Sequence, residues 1–297
     1  MNCYLNINKV VLSVKNKLLI ILKYNILFVL GLLLSYQAKA DTWERIKSRG
    51  VIQICVIPDS LPFSSDSDKN AGIHVDLAKL LAKNLEVDLE LVWILYRFHA
   101  RRAKCDALME TIIKPRNDES EDGDGVRPLT EASTGAKKSK KGPPLKTLAY
   151  ARMELVLIGE EENINKFKQS KFESLKIGAM QGSWAHMLLQ KININPRTAN
   201  RTEQSLISAV NKGNVDVAFV SAAHYDWFKF QNDNSKIKFT KDFNLGEDLD
   251  FNVGMILRNS DQILLDKVNI FIKESLRKNS IKYIFNKYGV RYVLPNS

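Results

Sequence analysis

Gly182-Ser183-Trp184 combines residue types and a position that suit anion binding. The stretch from Phe172 reads as a strand, and Ala185 to Gln190 reads as a helix, so the Gly-Ser turn lies where a helix begins. Backbone N–H groups at a helix start lack intrahelical acceptors and favour an anion, and Ser183 adds a hydroxyl. Ser183 is equally suited to be a plain N-cap, and the two roles are compatible. Trp184 is then a wall of the site or a core residue. Phe63 is a second candidate, because it follows the apolar run Val51-Ile-Gln-Ile-Cys-Val-Ile57 and the turn Pro58-Asp-Ser-Leu-Pro62. Ligands of open α/β sheets bind beyond the carboxyl ends of strands, so Phe63 is either a platform for a ligand or a side chain packed on its own helix.

Metal chemistry has little support. His74, His99, His186 and His224 are scattered without ligand spacing. Asp118, Ser120, Asp122 and Gly123 imitate the start of a calcium loop, but its twelfth position is Leu129 rather than a bidentate glutamate. No cofactor is expected.

These residues need elements to position them. Val75, Leu77, Leu80, Leu81 and Leu85 recur at helical spacing, and a further strand begins near Val87. Strand, helix, strand implies a parallel pair with a crossover. The chain of 297 residues is long enough for one large domain or two smaller ones, and its 45% apolar content is that of a globular protein.

The first forty residues read as an export signal. Lysines precede the apolar run Ile26–Leu34, and Ala38-Lys39-Ala40 places small residues where a signal peptidase reads, so cleavage is expected after Ala40; an uncleaved anchor is the alternative. Removing residues 1–40 takes away five lysines and no acids, which lowers the net charge from +11 to +6. So dispersed a charge gives no footprint for nucleic acid. Cys55 and Cys105 remain; in an oxidising compartment they form either a disulfide or two reduced, buried core residues.

The chain resembles the family 3 bacterial extracellular solute-binding proteins, the periplasmic receptors of ABC transporters. The resemblance rests on Asp59-x-x-Pro62-Phe63-Ser64, Gly72-Ile73-x-Val75-Asp76-Leu77-Ala78, Val87-x-Leu89-x-Leu91-Val92-Trp93, Gly213-Asn-Val-Asp216 and the closing helix Ile281–Gly289. Cys55 with Cys105-Asp106, and Trp93, Phe98 and Arg101 between them, are similar to the subgroup associated with quinoprotein (methanol-type) dehydrogenases.

The resemblance implies an α/β, two-lobed periplasmic binding protein type II fold with two crossover strands. One lobe would comprise 41–148 and 252–297, with an insertion at 114–146 whose acidic and lysine-rich runs read as mobile surface. The other would comprise 149–251. Arg116 stands nearest the family's carboxylate-clamping arginine, where a guanidinium fork matches two carboxylate oxygens. Tyr150 and Arg152 lie at the first crossover, and such a hinge would turn them toward the cleft. Ser221 stands where amino-acid binders carry the aspartate that holds an ammonium, and Ser221-Ala-Ala-His-Tyr225 where the subgroup has a turn. The implied function is a periplasmic protein that closes on a small molecule and presents it to an ABC transporter. Arg116, Arg152 and the Ser183 helix start favour an anion, and Ser221 withholds the charge an ammonium needs. The alternatives are an accessory protein of a quinoprotein dehydrogenase or, less in keeping with a set of residues lacking an acid or base, a dehydratase-type enzyme.

Overall fold

The computed structural model describes residues 42–67, 70–113, 144–245, 249–258 and 262–296. The signal segment, Arg116 and most of the expected insertion lie outside them. The chain begins with α1 (Thr42–Arg49), which Gly50 ends at φ +72° before β1 (Val51–Val56). Then come α2 (Ile73–Asn84) and β2 (Asp88–Trp93), and β2 lies parallel to β1 with Val51 opposite Asp88, as the strand, helix, strand pattern requires. A 3₁₀ turn (Arg97–His99) and the short α3 (Ala100–Ala103) lead to β3 (Ala107–Ile113) on the other side of β1.

The last residues of the expected insertion are not loop. Leu145 and Lys146 form β4, pairing with Leu257 and Ile256 of β9 (Asp250–Leu257). Lys146 can face solvent from such an edge while Leu145 packs on the first core, so low apolar content did not preclude a strand.

The chain then enters β5 (Ala151–Gly159), which reaches across the molecule. Its first residues, Ala151 to Glu154, pair antiparallel with β9, while Leu155 to Gly159 pair with β7 (Val217–Ser221). After β5 come α4 (Glu161–Lys168), β6 (Ile177–Ala179), α5 (Trp184–Lys191) and α6 (Glu203–Asn211). Following β7 are α7 (Ala222–Gln231) and β8 (Lys238–Thr240), and β9 returns to pair with β3 before α8 (Gln262–Arg277) and α9 (Ser280–Lys287). The strand order is β2-β1-β3-β9-β5-β7-β6, with β4 on β9 and β8 on β5. β5 and β9 are thus the two connections between the halves of the sheet.

Each half has its own apolar packing. Ile52, Ile54, Leu77, Leu81, Met255, Phe271 and Phe285 belong to the first core. In the second, Leu157, Leu189 and Phe219 pack on one sheet face and Ile158, Leu206 and Val220 on the other. Strands buried on both faces read as continuous apolar runs, which is why Leu155-Val-Leu-Ile158 and Val217-Ala-Phe-Val220 show no alternation. Cys55 and Cys105 form a disulfide with their Cα atoms 5.6 Å apart, beside Ile94 and Leu108.

Candidate functional site

The loop after β1 is fastened to the start of α2. Ser64 donates from Oγ to the Ile57 carbonyl at 2.6 Å, and the N–H groups of Ile73 and His74 donate to the carbonyls of Pro62 and Phe63 at 2.8 and 2.7 Å. Gly72 allows this approach: at φ +96°, a Cβ there would lie 2.5 Å from the Phe63 carbonyl oxygen. Phe63, buried, consequently stacks on the His74 ring with centroids 4.8 Å apart. His74 Nε2 in turn shares a 3.0 Å hydrogen bond with the hydroxyl of Tyr150, itself wholly buried just before β5. Phe63 and Tyr150 are therefore joined through His74, a residue that the sequence reading set aside.

A bulge in β3 brings a further group here. Pairing with β9 shifts register between Leu108 and Thr111, and Glu110 within the shift adopts φ +60°. Such a backbone is uncommon for a residue with a Cβ and re-aims the side chain out of the strand's alternation. Arg97, from the 3₁₀ turn, donates to the buried Thr111 hydroxyl at 3.3 Å and acts electrostatically on Glu110, His74 and Tyr150.

The second half contributes a knot of hydrogen bonds. Ser221 caps α7, and its backbone N–H donates to Glu203 Oε2 at 2.8 Å. The Nδ1 atom of His224 lies 2.7 Å from Ser221 Oγ and 2.8 Å from Glu203 Oε2. Glu203 is the first residue of α6, where the helix N-terminus also favours its charge. The edge of the His224 ring meets Phe63 with centroids 5.2 Å apart, and Gln204 Nε2 donates to the Leu61 carbonyl at 3.1 Å. These two contacts close the halves upon each other. Beside His74, Met109 and Glu110 there remains a cavity of about 10 Å³, close to the minimum for one water.

The charges of the cluster are unequal. Burial, with Arg97 and His224 adding to it, pushes the His74 pKa down to about 3, so this ring is neutral. Burial raises the Glu110 carboxyl, aided by Glu203 and opposed by Arg97 and His224. Burial also works against both partners of the Glu203–His224 pair, but their attraction and hydrogen bonds outweigh it, holding Glu203 below its ordinary value and His224 above. Below that raised value His224 is a cation beside the Glu203 carboxylate, and the Arg97 guanidinium is a second cation of the cluster.

The other sequence candidates lie apart from this cluster. Arg152 Nη2 pairs with Asp250 at 2.6 Å and its Nη1 donates to Asn296 at 3.0 Å; Asp250 also receives Lys241 at 3.1 Å. That guanidinium braces the two crossovers and the C-terminal segment. Ser183 accepts from the His186 N–H at 3.1 Å as the cap of α5, and Trp184, 38% exposed, is the first residue of that helix. The side chains of Phe98 and Arg101 and all of Arg116 lie outside the described residues. Among the described residues no group of three or more His, Cys, Asp or Glu side chains is placed to hold a metal ion.

Two crossover strands, a strand order broken by antiparallel β9 and β5, and polar groups gathered from both halves decide the architecture. The chain has the two-lobed periplasmic binding protein fold. An amino acid ABC transporter substrate-binding protein from Streptococcus pneumoniae bound to L-arginine matches with a TM-score of 0.62 at 15% identity, over 85% of this chain and 100% of that one. An ancestral amino acid-binding protein, a precursor of cyclohexadienyl dehydratase, matches at 0.61 and 19% identity, over 84% and 99%. The periplasmic binding protein XoxJ from Methylobacterium extorquens AM1 matches at 0.57 and 18% identity, over 82% and 99%. No protein-family model matches the chain, and no curated protein matches it.

Proposed function

We propose that this protein is an exported solute-binding protein that closes on a small anionic organic solute between its lobes and presents it to an ABC transporter. The observation that carries this reading is the meeting of polar groups from both lobes around Phe63, where His74 stacks on one side and His224, held by Ser221 and Glu203, meets the other, with the Arg97 guanidinium bonded to Thr111 nearby. Phe63, Tyr150 and Ser221 line or brace that cluster. Lobe boundaries near 149 and 252 put the hinge at the start of β5 and in β9. Neighbours of the same fold bind amino acids, and in this chain the groups around Ser221 are already spent on one another.

A solute must part Phe63 from His224 to enter, so binding requires lobe motion. The test is a thermal-shift and small-angle scattering series with carboxylates, amino acids and amines. A cognate anion at about 100 times its Kd stabilises the protein by about 2.7 kcal/mol, and scattering reports the change in compactness. A response to amines alone would overturn the anionic reading.

A second reading has its own support. The lobes are in contact through Phe63, His224, Gln204 and Leu61, beside a cavity the size of one water. A cleft filled by the protein's own side chains fits an accessory protein of a quinoprotein dehydrogenase, which would use its outer surface. Silence across the whole solute panel, with the dehydrogenase retained on the immobilised protein, favours it.

A further inference from the structure

We propose that α7 is a latch that holds the two halves of the molecule closed on each other without a solute, and that a solute enters only when this helix is released from the first half. The inference rests on the solute-binding reading above and concerns how that same site is opened.

α7 belongs to both cores at once. It follows directly on β7, and Ala222 and Tyr225, with Phe228 beside them, pack among Ile158, Leu206 and Val220 of the second core. Ala223 and Trp227, one turn apart on the opposite face, are buried in the first core with Phe63, Phe285 and Tyr288. The Trp227 and Tyr288 rings stand with centroids 6.0 Å apart, and His224 meets Phe63 from the same helix. A helix apolar on opposite faces is buried on both, so α7 is a wedge between the halves and not the outer helix of one of them.

Polar contacts tie the same helix to the end of the chain. Asp226, its side chain 10% exposed, accepts from Arg291 Nε at 2.8 Å and from the Arg291 backbone N–H at 3.0 Å, and that guanidinium lies 4.5 Å over the Phe239 ring of β8. Phe230 lies against Gly289, where a Cβ would collide with its ring. The segment gripped in this way is fastened to both crossovers. The Arg152 N–H donates to the Val293 carbonyl at 3.0 Å, the Tyr292 hydroxyl to the Tyr150 carbonyl at 2.9 Å, and Asn252 Nδ2 to the Asn296 carbonyl at 2.9 Å. Because α7 moves with β7, a turn at β5 and β9 that parts Phe63 from His224 must also shift α7 against Tyr288 and Arg291. The empty protein is then mostly closed, and a binding-competent state that is only fractionally populated lowers the apparent affinity by that fraction.

Small-angle scattering without solute tests the latch. Trp227→Ala, Asp226→Ala and Arg291→Ala should each have a larger radius of gyration than the wild-type protein while keeping one cooperative urea transition, which separates opening from unfolding. Should Trp227→Ala not fold, the two ion-pair variants decide. Folded variants with the wild-type radius overturn the inference. Calorimetry with acetate, glycolate and succinate reads the consequence: the opened variants should bind at least about threefold more tightly than wild type, since apparent affinity rises in proportion to the open fraction. Opened variants that bind a carboxylate no more tightly than wild type also overturn it. Silence of every protein toward all three carboxylates overturns the anionic-solute reading instead, and the scattering result still decides the latch.

Discussion

Replacing Glu203 with glutamine should destabilise the protein by about 2–3 kcal/mol near pH 6, the upper range for a hydrogen bond to a charged group. The figure follows from three features of the structure. Oε2 of Glu203 serves both the Ser221 N–H and His224 Nδ1, and the side chains of His224 and Glu203 are only 13% and 15% exposed, so solvent screens the pair weakly. Glutamine keeps an oxygen for Ser221, so the loss falls on the ionic half of the arrangement. The pH dependence has a definite sign. Glu203 is depressed on folding, so its contribution is present above the ordinary carboxylate value of 4.5 and disappears as pH falls through its folded value; His224 is raised, so its contribution is present below 6.5 and disappears as pH rises through its folded value. The difference between wild type and Glu203→Gln is therefore greatest between those limits. Above the raised value of His224 it should shrink toward about 1 kcal/mol, that of a neutral hydrogen bond. Urea unfolding of both proteins at about pH 6 and about pH 9 measures it. Equal differences at the two values would show that Glu203 acts through packing alone, and the charge account of the cluster would fail.

Four other outcomes are expected. His74 is neutral down to about pH 3 in the fold but takes a proton near 6.5 when unfolded, so it drains stability as pH falls from 6.5, by up to about 1.4 kcal/mol per unit; His74→Gln should flatten that fall in acid urea titrations. Reducing the Cys55–Cys105 bridge, which closes a separation of 50 residues, should cost about 4 kcal/mol by the chain-entropy estimate, read from urea midpoints with and without reductant. Gly178→Ala sets a Cβ 2.7 Å from Leu206 Cδ1 and 2.9 Å from Val215 Cγ1, an overpacking of about 1–3 kcal/mol that Gly213→Ser, with open space around it but positive φ, would reproduce only through backbone strain. Arg152→Ala should lower stability by about 2 kcal/mol, because it withdraws a partner from the nearly buried Asp250 carboxylate, and Arg152→Lys should recover part of that loss.

The framework was legible because it is periodic. The apolar spacing from Val75 to Leu85 locates α2 to within two residues of its observed limits. The helix Ala222–Gln231 was not legible: Ser221-Ala-Ala-His was matched to a turn, whereas Ser221 accepts from the His224 N–H at 3.4 Å and starts a helix. Ser-x-x-His offers no glutamate for a capping box, so only the serine hinted at the cap.

The site failed to show for a different reason. His74, Glu110, Glu203 and His224 come from two lobes, and no local spacing connects them; each has an ordinary explanation at its own place. Glu203 is a first-turn acid, which every helix start favours. His74 lies between Ile73 and Val75 on a buried helix face, and Glu110 follows Met109 in a strand where alternation gives no warning of a positive φ. Only closure of β5 and β9 makes neighbours of them. The one signal available was chemical: a histidine and a glutamate inside otherwise apolar elements carry a burial cost that demands partners, and those partners come from distant parts of the sequence, as His74 finds Tyr150. That same cost is what makes the interlobe contact sensitive to protonation, since a group buried by closure must lose or find its proton when the lobes meet.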